Sequence, residues 1–191
     1  MPPPNDLRRA QLTDAAIALL AEAGVHGVTH RAVERRADLP AGTASNYFRS
    51  REALLVATAE RVIALHHADM SRAGVSGAGA TAVDLIADSL FTAATTYRAR
   101  YLAIFELRLE SLRRPALAAT LLALSDATVA FTRQHHADLD LAIPPEAVAT
   151  MVALYGGALF SLVSAQPGEV DAVAVRGLAE AIVRSAVPGL T

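Results

Sequence analysis

Leu12, Ala16, Leu19, Leu20 and Ala23 recur at the spacing of one helical face, which predicts an amphipathic helix over Asp6 to Ala23 with Gly24 as its C-terminal cap. After a short loop, Thr29 is placed to cap a second helix reaching about Ala37, and Val28 and Val33 have the spacing of a hydrophobic staple around it. Asp38-Leu39-Pro40 interrupts the pattern. A short helix from about Ala41 to Phe48 follows, and Ser50 with Glu52 opens a fourth that extends to roughly Asp69. Gly74 to Gly79, rich in Gly, Ser and Ala, reads as a boundary. Further helices are predicted at about Thr81 to Arg98, Ala99 to Arg113, Pro115 to Leu139, Pro145 to Ala165 and Val170 to Val187, punctuated by Pro115, Pro144, Pro145 and Pro167.

Composition agrees with an all-α fold: 53% of residues are hydrophobic but only 5% aromatic, alanine is abundant, and alternating β-branched runs are scarce. A chain of 191 residues accommodates a small and a medium helical unit. The predicted division is residues 1–50, a connecting helix over 51–73, and a bundle over 74–191. The absence of cysteine removes disulfides, thiolate metal sites and cysteine nucleophiles, and suits a reducing cytoplasm. Met1 to Asn5 reads as a Pro-rich tail and lacks the charged and apolar regions of a signal peptide. Ala147 to Gly168 carries no charge and is long enough to cross a bilayer, yet it holds Thr150, Tyr155, Ser161, Ser164 and Gln166 and has no Lys/Arg flank, so a helix buried in a protein interface is the better reading.

The net charge of -2 conceals a local excess of cations. Between Val25 and Arg51 there are five arginines (Arg31, Arg35, Arg36, Arg49, Arg51) and two acids (Glu34, Asp38), so guanidinium forks would meet any phosphate approaching there. Two short helices separated by about three residues form a helix-turn-helix pattern. In such a unit the second helix must enter the major groove, which is about 12 Å wide. The segment Ala41-Gly42-Thr43-Ala44-Ser45-Asn46-Tyr47-Phe48 suits that role: Gly42 and Ala44 permit close approach, while Thr43, Ser45 and Asn46 offer hydrogen bonds to phosphates or base edges. Phe48 and the ring of Tyr47 are expected to face inward.

These motifs, in order, resemble the tetracycline-repressor (TetR) family of one-component regulators over about Ala10 to Leu55. They comprise an apolar first helix ending in Ala23-Gly24, then Val28-Thr29-His30-Arg31-Ala32-Val33, Gly42-Thr43 ahead of Tyr47-Phe48, and Ser50-Arg51-Glu52-Ala53-Leu54. Against the family pattern, Ser45 stands where an aromatic Tyr is usual, Asp38 replaces the Gly of the turn, Glu34 replaces a small apolar residue, and Arg51 replaces a phosphate-binding Lys. The resemblance implies that Arg31 reads a base or phosphate, while Thr29, Thr43, Ser45, Asn46, Tyr47 and Arg51 hold the backbone. It further implies a homodimeric repressor that releases double-stranded operator DNA when a small-molecule effector binds its C-terminal bundle.

Ala149, Ala153, Gly157 and Ser161 recur every four residues, as do Gly177, Ala181 and Ser185, leaving a small-residue groove on each of the last two helices. Those grooves could pack within one subunit; in the resembling family the last two helices form a four-helix dimer interface. The middle helices would then enclose the effector. Tyr101, Phe105, Arg108 and Leu109, with Leu112 and with Phe91, Tyr97 and Phe131 from neighbouring helices, form an apolar lining with a few polar groups, although most such residues serve an ordinary core.

Other chemistry lacks its residues. The doublets His66-His67 and His135-His136 point adjacent side chains about 100° apart on a helix, so they do not converge on one metal ion. Glu106, Glu110 and Arg113 have the spacing of surface ion pairs. Neither a phosphate-cradling glycine loop nor a nucleophile elbow is present. No metal, no cofactor and no enzymatic activity are expected. A helical small-molecule enzyme and a protein-binding adaptor are the alternatives.

Overall fold

A computed structural model describes residues 4–76, 80–166 and 168–186. The described residues are helical, without a strand: α1 (Pro4–Gly27), α2 (His30–Arg36), α3 (Thr43–Tyr47), α4 (Arg51–Ser76), α5 (Ala82–Ala94), α6 (Arg98–Ser111), α7 (Pro115–Asp138), α8 (Val148–Ser164) and α9 (Ala172–Ala186). Every predicted helix is present, and the differences lie at the ends. Helix α1 already begins at Pro4, inside the predicted tail, while residues 1–3 lie outside the described residues. Gly24 breaks it, at φ +62 and ψ −171, and one further turn follows before the chain leaves the helix. The predicted boundary at Gly74 to Gly79 is displaced, because α4 continues through Ser76; residues 77–79, Pro167 and Val187 fall outside the described residues. Helix α5 stops at Ala94, before a turn at Thr95 to Tyr97, and its start is fixed by a capping box in which Thr81 and Asp84 bond each other's backbone N–H.

The chain divides into two compact units: Met1–Leu65 with Leu102–Leu124, and His66–Tyr101 with Ser125–Thr191. This differs from the linear division into 1–50, 51–73 and 74–191. The division falls inside α4, α6 and α7, whose length lets each contribute residues to both units.

In the first unit α1 packs on α2 and α2 on α3, around a core that includes Leu12, Leu20, Val28, Val33, Phe48, Leu54 and Leu107. Glu110 is buried and ion-paired to Arg113 and Arg114, so the surface pairing expected at this spacing occurs with its acid out of solvent. The Arg114 hydrogen bond, opposed by desolvation and aided by Arg113, holds the Glu110 carboxyl below the usual carboxylate range.

In the second unit α5, α8 and α9 pack on one another around Leu90, Val148, Leu159, Val163, Val175 and Ile182. Helix α8 has 17 residues, short of the roughly 20 that a bilayer requires. Helix α7 is the one described helix long and apolar enough to span by length and composition, but it carries Asp126, Arg133, His135 and His136.

A polar aromatic cluster completes the second unit. His66 Nδ1 and the Tyr101 hydroxyl share a 2.8 Å hydrogen bond, with the rings edge to face, and the Tyr155 ring lies 6.2 Å from His66. Tyr155 in turn shares a 2.8 Å hydrogen bond with Ser89. His67 stacks on Phe131 at 4.1 Å between ring centroids, and Phe131 stacks on His135. Arg100 pairs with Asp69 and lies over the Tyr97 ring. Desolvation, followed by the neighbouring His67, lowers His66 to about 4, and burial also lowers His67, His135 and His136.

This cluster makes the second unit acid-labile. Below the ordinary histidine value of about 6.5 the unfolded chain takes up protons that the folded imidazole refuses until about pH 4. Stability is therefore full at neutral pH and falls between pH 6.5 and 4, by up to about 3 kcal/mol for His66 alone. Urea unfolding at pH 7.5 and pH 5 should show the loss, and His66→Gln should flatten it; equal midpoints at both pH values would contradict a neutral buried His66.

Candidate nucleic-acid interface

A short helix that presents side chains to DNA needs support from its neighbours, because five residues contain little hydrogen bonding of their own. The support begins at α2. The Thr29 hydroxyl accepts from Ala32 N–H at 3.1 Å, and the staple residues Val28 and Val33 are both fully buried beneath it. Gln11 of α1 donates to the carbonyl of Ala37 at 2.8 Å, which fixes the other end of α2. Asp38 then takes φ +52, the left-handed conformation that the turn requires and that Asp tolerates better than most residues.

Helix α3 starts at Gly42, whose φ of +88 and open surroundings suit glycine and which has no side chain to cap the helix. The cap comes from α2. Glu34 is buried, and its Oε1 accepts from Ala44 N–H at 2.8 Å. At the other end of α3, His30 Nε2 donates to the Phe48 carbonyl at 2.8 Å, which places a proton on that nitrogen. Phe48 is 2% exposed and lies beneath the Arg9 guanidinium, 5.0 Å from the ring centroid, while Tyr47 is half-buried. The expectation of an inward Phe48 and a partly inward Tyr47 matches these positions.

The predicted contact residues separate into three groups. Arg31, Ala41, Gly42, Ser45 and Asn46 are exposed, and Arg31, Ser45 and Asn46 make no side-chain hydrogen bond or ion pair among the described residues. Thr29 and Thr43 are partly engaged: the Thr29 oxygen accepts at the cap but keeps its proton to donate, whereas Thr43 donates to the Pro40 carbonyl at 2.6 Å and keeps only acceptor capacity. Arg51 is the exception. Its guanidinium turns inward, donating from Nε to Val28 O at 2.8 Å and from Nη2 to Val25 O. A lysine has one nitrogen where Arg51 has a fork, and that fork clamps the last turn of α1 to the loop that follows it.

Of the five arginines between Val25 and Arg51, Arg36 is tied to Glu22 through a bidentate pair at 2.7 and 3.0 Å, and Arg51 to backbone. Arg31, Arg35 and Arg49 remain exposed without a partner among the described residues. With Glu34 turned inward, these three cations dominate the outer surface of α2 and α3.

The remaining predicted sites fall elsewhere. Tyr97, Tyr101 and Phe131 join the second unit's polar aromatic cluster; Phe91 is 38% exposed on α5, and Phe105 and Arg108 belong to the first unit, Arg108 on its surface. His66, Tyr155 and Ser89 are members of that cluster that periodicity did not single out, since their convergence depends on packing of α4, α5 and α8. Ala149, Ala153, Gly157 and Ser161 of α8, and Gly177, Ala181 and Ser185 of α9, are all exposed and not packed within the unit. Leu154, Phe160 and Leu178 are exposed nearby in sequence, and α8 carries no charged residue.

Comparison with known proteins agrees with this architecture. Residues 12–58 match the family of bacterial regulatory proteins of the tetR type, and residues 77–189 match the tetracyclin repressor-like C-terminal domain. The HTH-type transcriptional regulator BetI of Burkholderia thailandensis is 41% identical over 59 residues, which cover 31% of this chain and 30% of the relative. That match therefore spans less than a third of either protein. Among solved structures, a member of the TetR family from Streptomyces coelicolor A3 is 24% identical with a TM-score of 0.69, covering 94% of this chain and 98% of that one. The multidrug binding protein EbrR, complexed with imidazole, is 26% identical with a TM-score of 0.67, covering 96% and 97%.

The inward Arg51 has a measurable consequence. Arg51→Ala strips the Val25 and Val28 carbonyls of a charged donor and should destabilise the protein by about 2 kcal/mol, seen as a lower denaturation midpoint. Arg51→Lys should recover part of this. A midpoint unchanged by Arg51→Ala would return the guanidinium to the surface.

Proposed function

The chain belongs to the tetracycline-repressor family of bacterial transcriptional regulators, and from that premise we propose that it is a homodimeric repressor that binds double-stranded operator DNA through α2 and α3 and releases it when a small molecule binds the second unit. The observation that carries the reading is the set of uncommitted groups on α2 and α3: Arg31, Ser45 and Asn46, with the Thr29 proton and the cations of Arg35 and Arg49. Arg31 is proposed to read a base edge, and Thr29, Thr43, Ser45, Asn46 and Tyr47 to hold the sugar-phosphate backbone near Ala41 and Gly42. A protein that acts on the chromosome in this way works in the cytoplasm.

Reading two half-sites needs two copies. The small-residue faces of α8 and α9 are proposed as the interface, since they are exposed, uncharged on α8, and accompanied by exposed Leu154, Phe160 and Leu178. The effector is proposed to meet Tyr97, Tyr101 and Phe131 in the polar aromatic cluster, where apolar rings surround a few hydrogen-bonding groups. Its influence on the DNA-binding unit would pass through α4, α6 and α7, each of which contributes to both units.

Selection of bound duplexes from a random pool, followed by titration across salt concentrations, tests the central claim: the protein should enrich one two-fold-symmetric sequence, with affinity falling as salt rises. Failure to enrich any sequence at several salt concentrations would remove the DNA-binding reading. Arg31→Ala should weaken the selected site far more than unrelated duplex; equal losses would take Arg31 out of base readout. A side chain at Gly157 meets nothing within 4 Å in the monomer, so Gly157→Phe should leave the subunit folded and give monomers by light scattering. A persistent dimer would move the interface elsewhere.

A further inference from the structure

Glu34 and His30 lie four residues apart, on one face of α2, and that face grips α3 at both ends. We propose that this pair consists of positioning residues for sequence readout: they set the placement of α3, so that discrimination between DNA sequences depends on two side chains that do not touch the DNA. The proposal rests on the reading of α3 as the DNA-reading helix.

These two bonds from α2 add to the Thr43 bonds to the Pro40 carbonyl and to the burial of Ala44 and Phe48, which seat α3 but leave its rotation to the groups at its ends. Its N-cap is Gly42, which has no side-chain oxygen, and at its N-terminal end the Ala44 N–H would stay unpaired without Glu34. Glu34 is 4% exposed and Ala44 is fully buried, so water does not readily replace the carboxylate. At the C-terminal end Phe48 N–H donates to Ala44 O at 2.8 Å, while the Phe48 carbonyl, past the last turn, accepts from His30. The exposed Ser45 and Asn46 lie between the two anchored residues. Contact sets of this kind must be held within about 0.5 Å and 10–20° of their productive geometry, a tolerance that a helix of five residues has few bonds of its own to keep. Phosphate attraction to Arg31, Arg35 and Arg49 tolerates such rotation, because it depends on charge and little on angle.

The two roles predict different losses. A residue needed only for folding lowers the active fraction, so affinities for selected and unrelated DNA fall by one common factor. A positioning residue lowers the ratio between them. With the full-length protein, and with the duplex selected by the wild type, Glu34→Ala should bind the selected site at least tenfold more weakly while binding a scrambled duplex within about twofold of wild type at the same salt. Glu34→Gln, whose amide oxygen still accepts from Ala44 N–H, should keep most of the ratio, and Glu34→Ala should speed hydrogen exchange at the Ala44 amide without DNA. If Glu34→Ala does not fold, His30→Ala carries the same expectation for the ratio from the other end of α3. An unchanged ratio in whichever of these two variants folds, or a common loss on both duplexes, overturns the proposal. If the wild type itself selects no sequence, the DNA-reading assignment of α3 fails and this proposal with it; if the wild type selects and Glu34→Ala selects equally well, the proposal fails alone.

Discussion

A helix of five residues is too short to stabilise itself, and the N-terminal unit is organised around that constraint. Helix α3 carries the outward Ser45 and Asn46, yet the Ala44 N–H near its start and the Phe48 carbonyl just past its end are satisfied by α2, through Glu34 and His30. Helix α2 in turn is fixed by the Thr29 cap, by Val28 and Val33 in the core, and by Gln11 of α1 reaching Ala37. The α1–α2 loop is clamped by Arg51 from the start of α4. Support therefore passes from long helices with ample burial to the short one that has none to spare.

The helices themselves were legible because their signals are local. Thr29 caps α2 as its type and place imply, Asp38 takes the left-handed turn position, and Phe48 enters the core. The substitutions at the interface were harder to read, because their meaning depends on residues distant in sequence. Nothing near Glu34 in the chain reveals that an N–H ten residues on would need an acceptor, and nothing near Arg51 reveals two carbonyls more than twenty residues back. Both residues depart from the family pattern and both turn out to bond backbone. The same limit explains the histidines: spacing argued against a shared metal ligand set at His66-His67, but it could not show that each imidazole meets a different aromatic partner, Tyr101 for one and Phe131 for the other.

Burial also separates the two kinds of small-residue pattern in this chain. Alanines at Ala87, Ala93, Ala94, Ala103 and Ala179 are buried and let helices approach within a unit. Ala149, Ala153, Gly157, Gly177 and Ala181 are equally small and are exposed. Residue type alone cannot distinguish these cases, since a small side chain on a helix serves either. The exposed set lies on α8, which has no charge, and on α9, which also presents Arg176, Glu180 and Arg184.

A carboxylate inside a unit that approaches a polyanion seems misplaced until its surroundings are considered. Glu34 is screened from solvent and hydrogen-bonded to backbone, so its negative charge is partly neutralised where it sits, while the neighbouring Arg31 and Arg35 on the same helix extend outward. The exposed guanidiniums of Arg31 and Arg35 meet an approaching phosphate from the outer surface of the helix, whereas the Glu34 carboxylate lies behind it. Glu34 can thus supply a strong acceptor to Ala44 N–H, a position that a small apolar residue would leave without one, while the outer surface of α2 and α3 keeps the positive sign that phosphate requires.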